Sequence, residues 1–114
     1  MIDFDNLVTE HIPQMLGGVG IAHRTAYIDG HNKILRITLD PGVRIGLHTH
    51  SDNSEICFIA SGIATVIFDD HVEEVHPGQC HYCPQGHTHS VGNDHDEPMT
   101  MYCVVPFHID PVEK

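Results

Sequence analysis

The feature that most constrains the fold of this chain is its punctuation. From residue 21 onward, short apolar stretches alternate with turn-forming residues, and no long amphipathic helical pattern intervenes. Ile21–Ile28 reads as a strand and Asp29-Gly30-His31-Asn32 as a hairpin turn. Lys33–Leu39 sets Ile34, Arg36 and Thr38 against Leu35, Ile37 and Leu39, the period-two pattern of a half-buried strand, and Asp40-Pro41-Gly42 ends it. Ile56–Ala60 and Ile63–Phe68 flank Ser61-Gly62. Val72–Val75, Gln79–Cys83, Ser90–Gly92 and Met99–Val105 follow, separated by Asp69-Asp70, Pro77-Gly78, Pro84-Gln85-Gly86 and the polar Asn93–Glu97. Short strands at regular intervals predict an all-β barrel or sandwich. Only residues 1–16 differ. Phe4, Leu7, Val8, Ile12, Met15 and Leu16 are spaced for a helical turn or two, interrupted at Pro13 and stopped by Gly17-Gly18-Val19-Gly20.

With 114 residues, this length is that of one domain spanning 1–114. No apolar run reaches the length of a membrane span, and the acidic start Met1–Asp5 does not read as a signal peptide, so a cytoplasmic protein is expected. The formal net charge of −11 leaves no basic footprint for nucleic acid or anionic membranes. The 4 cysteines are Cys57, Cys80, Cys83 and Cys103. Cys80-His81-Tyr82-Cys83 contains a C-x-x-C, but no second one completes a zinc ribbon and no βαβ pattern surrounds it. A strand there points Cys80 and Tyr82 to one face and His81 and Cys83 to the other, with either pair inward. Free thiols are expected, with a redox or second-metal role as the alternative.

Histidine carries the chemistry. There are 12, and two of them, His48 and His50, follow the Pro41-Gly42 turn two residues apart. In an extended chain residues i and i+2 share a face, so both imidazoles address one side, close enough to meet at one ion. Glu55 adds a carboxylate, giving the start of a two-His-one-carboxylate face that suits zinc, iron, copper, nickel or manganese and leaves positions open. Cys57, two residues beyond Glu55, shares its face and is a candidate pocket residue, as is one of His81 and Tyr82. Arg36, Arg44 and His81 could anchor an anionic group.

The chain resembles the cupin superfamily. Gly42, His48, His50, Glu55 and Gly62 are separated by five, one, four and six residues, and Gly78, Pro84, Gly86, His89 and Asn93 by five, one, two and three, with fifteen residues between Gly62 and Gly78. All ten positions match the two motifs of that superfamily. The resemblance implies a double-stranded β-helix, a jelly-roll barrel of two antiparallel sheets, with a short N-terminal helical or extended segment. It implies one divalent first-row metal ion held by His48, His50, Glu55 and His89, with the glycines and Pro84 at turns, and a homodimer. His87, on the turn before His89, is expected at the rim. Three readings of function compete: a metal-dependent dioxygenase or oxidoreductase (or an isomerase or lyase) acting on a small molecule, a non-enzymatic small-molecule or metal-binding module, and a barrel that a metal merely stabilises.

Overall fold

A computed structural model describes residues 1–108. Ten strands follow one another: β1 (Thr9–Pro13), β2 (Ile21–Ile28), β3 (Asn32–Leu39), β4 (His48–Thr49), β5 (Glu55–Ser61), β6 (Ala64–Phe68), β7 (His71–Val75), β8 (Cys80–Cys83), β9 (Thr88–Gly92) and β10 (Met99–Pro106). They form a six-stranded sheet in the order β1-β2-β3-β10-β5-β8 and a four-stranded sheet in the order β4-β9-β6-β7, with neighbouring strands antiparallel in both. This is the double-stranded β-helix, with crossovers such as β3–β10 that pair strands distant in sequence.

The alternation in β3 sets the core. Leu35, Ile37 and Leu39 point inward and meet Met99, Met101, Cys103 and Val105 from β10, Cys57 and Ile59 from β5, and Ala64, Val66 and Val91 from the other sheet. Each Leu, Ile, Val or Met among them contributes about 1.5–3 kcal/mol on leaving water, before the entropy of ordering is subtracted. Turns bracket the strands where the motif glycines fall. Gly42, Gly62, Gly78 and Gly86 all have positive φ. Gly62 is doubly constrained, because a Cβ there would lie 2.4 Å from the Pro98 carbonyl oxygen.

Of the helical and extended alternatives for the N-terminal segment, the structure shows an extended strand between short helical turns. Two single 3-10 turns, Phe4–Asn6 and Met15–Gly17, flank strand β1. Strand pairing wins because β2 offers an open edge. Thr9 and Thr25 share a hydroxyl hydrogen bond of 2.8 Å, and the Arg24 guanidinium donates to Glu10 at 2.9 Å. Pro13 ends the strand at the sheet edge, where a missing N–H costs little. Upstream, Phe4 packs on Tyr102 and Asp5 accepts from Arg36 at 2.7 Å, so the segment covers the outer face of its own sheet. Downstream, Leu16 passes so close to Gly46 that a Cβ on Gly46 would lie 2.0 Å from the Leu16 carbonyl oxygen. That approach seats Met15 and Leu16 beside the barrel cavity.

Candidate metal centre

Four side chains expected to act together do converge: His48, His50, Glu55 and His89 place one donor atom each within 4.8 Å of one another. Both sheets contribute. His48 on β4 faces His89 on β9 in direct register, His50 leaves β4 by one residue, and Glu55 opens β5 in the opposite sheet. His89 Nε2 lies 3.1 Å from His48 Nε2, 2.9 Å from His50 Nε2 and 3.0 Å from Glu55 Oε1. Donor atoms bound about 2.1 Å from one ion at right angles are about 3.0 Å apart, so the spacing fits a first-row metal.

The outward hydrogen bonds decide the chemistry of these rings. His48 Nδ1 donates to the Gly46 carbonyl at 2.7 Å and His50 Nδ1 donates to Asn53 Oδ1 at 2.5 Å. An imidazole that donates from Nδ1 keeps, while neutral, a bare lone pair on Nε2. The Nε2 atoms are the ones that converge. Burial holds His48 below the ordinary histidine range. Burial pulls His50 down too, but its bonds to Glu55 and Asn53 outweigh that and hold it above. For Glu55, burial works to raise the pKa, yet hydrogen bonds from His50 and His89 prevail and hold it at about 2. Lone pairs of three imidazoles facing an ionised, buried carboxylate form a donor set suited to a cation.

The other candidates separate. His81 is 1% exposed and does not line the cavity; it stands behind His89, its Nε2 2.9 Å from His89 Nδ1. Cys57 shares the inward face with Glu55 but sits deeper, opposite Cys103 in register, and is not a cavity residue. Its thiol is pushed well up by the hydrogen bond to Cys103 and by burial, so it is a protonated core thiol. Tyr82 is not a pocket residue: it pairs with Ile56 on the outer face and is 54% exposed, because the register of β8 on β5 turns His81 and Cys83 inward. All 4 cysteines are free, three of them buried and Cys80 exposed. Arg36 and Arg44 are not anion anchors in the cavity. Arg36 lies on the outer face with Asp5, and Arg44 donates to Ser90, Thr65 and Asp94. His87 is exposed at the rim and bonded to Asp69.

A cavity of about 350 Å³ opens beside His48, His50 and Glu55. Leu35, Ile37, Ile45, Val91 and Val105 give it apolar walls, and Arg24 and Lys33 supply cationic groups. Neither cation is singled out by reading the sequence for function. The signal was available for Lys33, which lies two residues before Leu35 and so on the inward face of β3.

The cupin domain family matches residues 35–105, and the chain belongs to that family. An oxalate-binding protein of Thermotoga maritima is 30% identical over 107 residues, covering 87% of each chain. A mannose-1-phosphate guanylyltransferase of Sinorhizobium fredii is 34% identical over 61 residues, which are 54% of this chain but only 12% of that enzyme. Among solved structures, a predicted oxalate decarboxylase from Thermotoga maritima superposes with a TM-score of 0.88 at 21% identity, covering 94% of this chain and 98% of that one.

Proposed function

We propose that this protein binds one divalent first-row metal ion through His48, His50, Glu55 and His89 and uses it to hold a small organic acid in the adjoining cavity. The observation that carries this reading is the set of converging Nε2 lone pairs at a cavity that also contains Lys33 and Arg24. Four protein donors leave up to two positions open on a six-coordinate ion, and such an ion supplies a Lewis acid for carboxylate oxygens. The apolar walls exclude water, Asn53 and Gly46 keep the rings aimed, and Lys33 favours a second negative group on the ligand. The oxalate-binding relative supports a small dicarboxylate.

Turnover is the second reading, favoured by the same open positions, which a dioxygenase or oxidoreductase also needs. The acidic net charge supports a protein that engages neither nucleic acid nor anionic membranes, and the length of 114 residues supports one domain. Phe58 and Tyr82, 52% and 54% exposed on the outer face of the six-stranded sheet, support a homodimer; a monomer in sedimentation at micromolar concentration removes that part.

The test begins with metal analysis of protein purified without a chelating tag. Calorimetry then follows oxalate, malonate and succinate binding to metal-loaded and metal-stripped protein, with oxygen uptake and product mass measured alongside. Binding that requires both metal and Lys33 supports the reading, and product formation moves it to an enzyme. Stripped protein that binds these acids as tightly as loaded protein overturns it.

A further inference from the structure

His89 differs from the other two imidazoles in what stands behind it. The outward bonds of His48 and His50 end on a neutral carbonyl and a neutral amide. Behind His89 Nδ1 lies His81 Nε2 at 2.9 Å, and behind His81 Nδ1 lies Glu73 Oε1 at 2.5 Å. His81 comes from β8 and Glu73 from β7, so the row spans both sheets. It is packed, not incidental. The His81 ring stacks on His89 at an interplanar angle of 25°, and Phe68 closes edge-on against His81 at 5.2 Å. Glu73 reaches the surface, with 35% of its side chain exposed.

We propose that Glu73 and His81 are positioning residues that fix the tautomer of His89 and strengthen it as a metal donor. The argument follows the protons. A carboxylate can only accept, so His81 carries its proton on Nδ1 and donates to Glu73. A neutral His81 then has a bare Nε2, which can only accept, so His89 donates to it from Nδ1. That leaves Nε2 of His89 bare and facing His48, His50 and Glu55. One anionic end thus orients both protons in the row, and its charge polarises both rings toward the donor atom. Among the described residues, His89 is the one cage histidine whose outward hydrogen bonds end on a charged group.

This inference rests on the metal reading, and the experiment separates the two. Wild-type protein is titrated with Co2+ against a competing chelator, and its visible ligand-field spectrum is recorded. Glu73→Gln, Glu73→Ala and His81→Phe are compared with Glu74→Gln. The Glu74 variant removes the same charge one residue away, where Glu74 pairs, among the described residues, with the surface His95. Long-range 1H–15N spectra of zinc-loaded protein report the His89 tautomer. The expected result is a loss of roughly 10-fold to 100-fold in affinity, in the order Gln, then Ala or Phe. A shifted Co2+ spectrum and a weakened His89 Nδ1 proton signal accompany it, and Glu74→Gln changes nothing. Variants that melt earlier but keep wild-type affinity, spectrum and tautomer overturn the inference, since a packing role alone predicts that pattern. No Co2+ binding by the wild type overturns the metal reading itself.

Discussion

Asn93, the last position of the second motif, offers a test of what a motif residue outside the cage does. It is 0% exposed. Its Nδ2 donates to the carbonyls of Leu39 at 2.9 Å and Glu97 at 2.7 Å, and its Oδ1 accepts from the His95 amide at 3.0 Å. The side chain therefore ties the end of β3 to the loop that joins β9 to β10. Asn93→Ala removes three hydrogen bonds at a net of about 1 kcal/mol each, a loss of about 3 kcal/mol. For a domain of this size that lowers Tm by about 12 °C. Asn93→Asp keeps the shape but sets a carboxylate against two carbonyl oxygens that it cannot donate to, so it costs at least as much. The assay is urea unfolding and calorimetry in a chelator, which keeps metal linkage out of both numbers. Metal affinity should stay within a few-fold of wild type, because no cage hydrogen bond passes through Asn93. An Asp variant as stable as wild type, or an Ala variant within about 1 kcal/mol of it, refutes the reasoning.

Three further outcomes are expected. Adding metal at 100 times its Kd should stabilise the protein by about 2.7 kcal/mol, or about 10 °C in a melting scan. Alanine at His48, His50, Glu55 or His89 should abolish that rise while alanine at the rim residue His87 should not; a rise that survives all four locates binding elsewhere on this histidine-rich chain. Metal affinity should be intact at high pH and fall as pH drops. The fall should begin somewhat above 6.5, where His50, held above its ordinary value, takes a proton on the nitrogen that the ion needs, and should steepen only later as the burial-lowered His48 follows. Chelator competition across pH checks this, and an affinity that grows toward acid contradicts it. Of the four thiols, Cys80 alone should be labelled quickly by a disulfide reagent in native protein, since Cys57, Cys83 and Cys103 are buried and burial pushes Cys83 to about 12; mass spectra of native and denatured samples count them.

The parts of this structure legible in the sequence are those governed by local rules. Alternation in β3 separated its two faces, and i, i+2 geometry aimed His48 and His50 together. Glu55 and Cys57 share a face for the same reason. His89 is 41 residues from His48, and only the motif spacing reached it. What escaped depends on partners distant in sequence. The apolar positions of residues 1–16 fit a helical turn as well as an extended segment, and the open edge of β2 decides for a strand over Thr9–Pro13. The inward pair of β8 was undecidable until Cys57 stood opposite His81 and Ile56 opposite Tyr82. Arg24 and Lys33 escaped because a charged residue on a strand reads as solvent-facing, whereas these two occupy inward positions that border a cavity. Arg36 and Arg44 misled for the converse reason: their charges serve Asp5 and the carbonyls of Thr65 and Ser90.

The cage also couples the two halves of the barrel in a way that apolar packing does not. Glu55 belongs to one sheet and His48 and His89 to the other, so a cation between them is a cross-link between sheets. Glu55 is held at about 2 by its contacts with His50 and His89, so the carboxylate between the sheets stays ionised across the neutral range and gives a cation a fixed negative partner. The apolar core of Ile37, Leu39, Met99 and Met101 lies outside the cage, which is why ligand substitutions should empty the site without unfolding the strands that frame it.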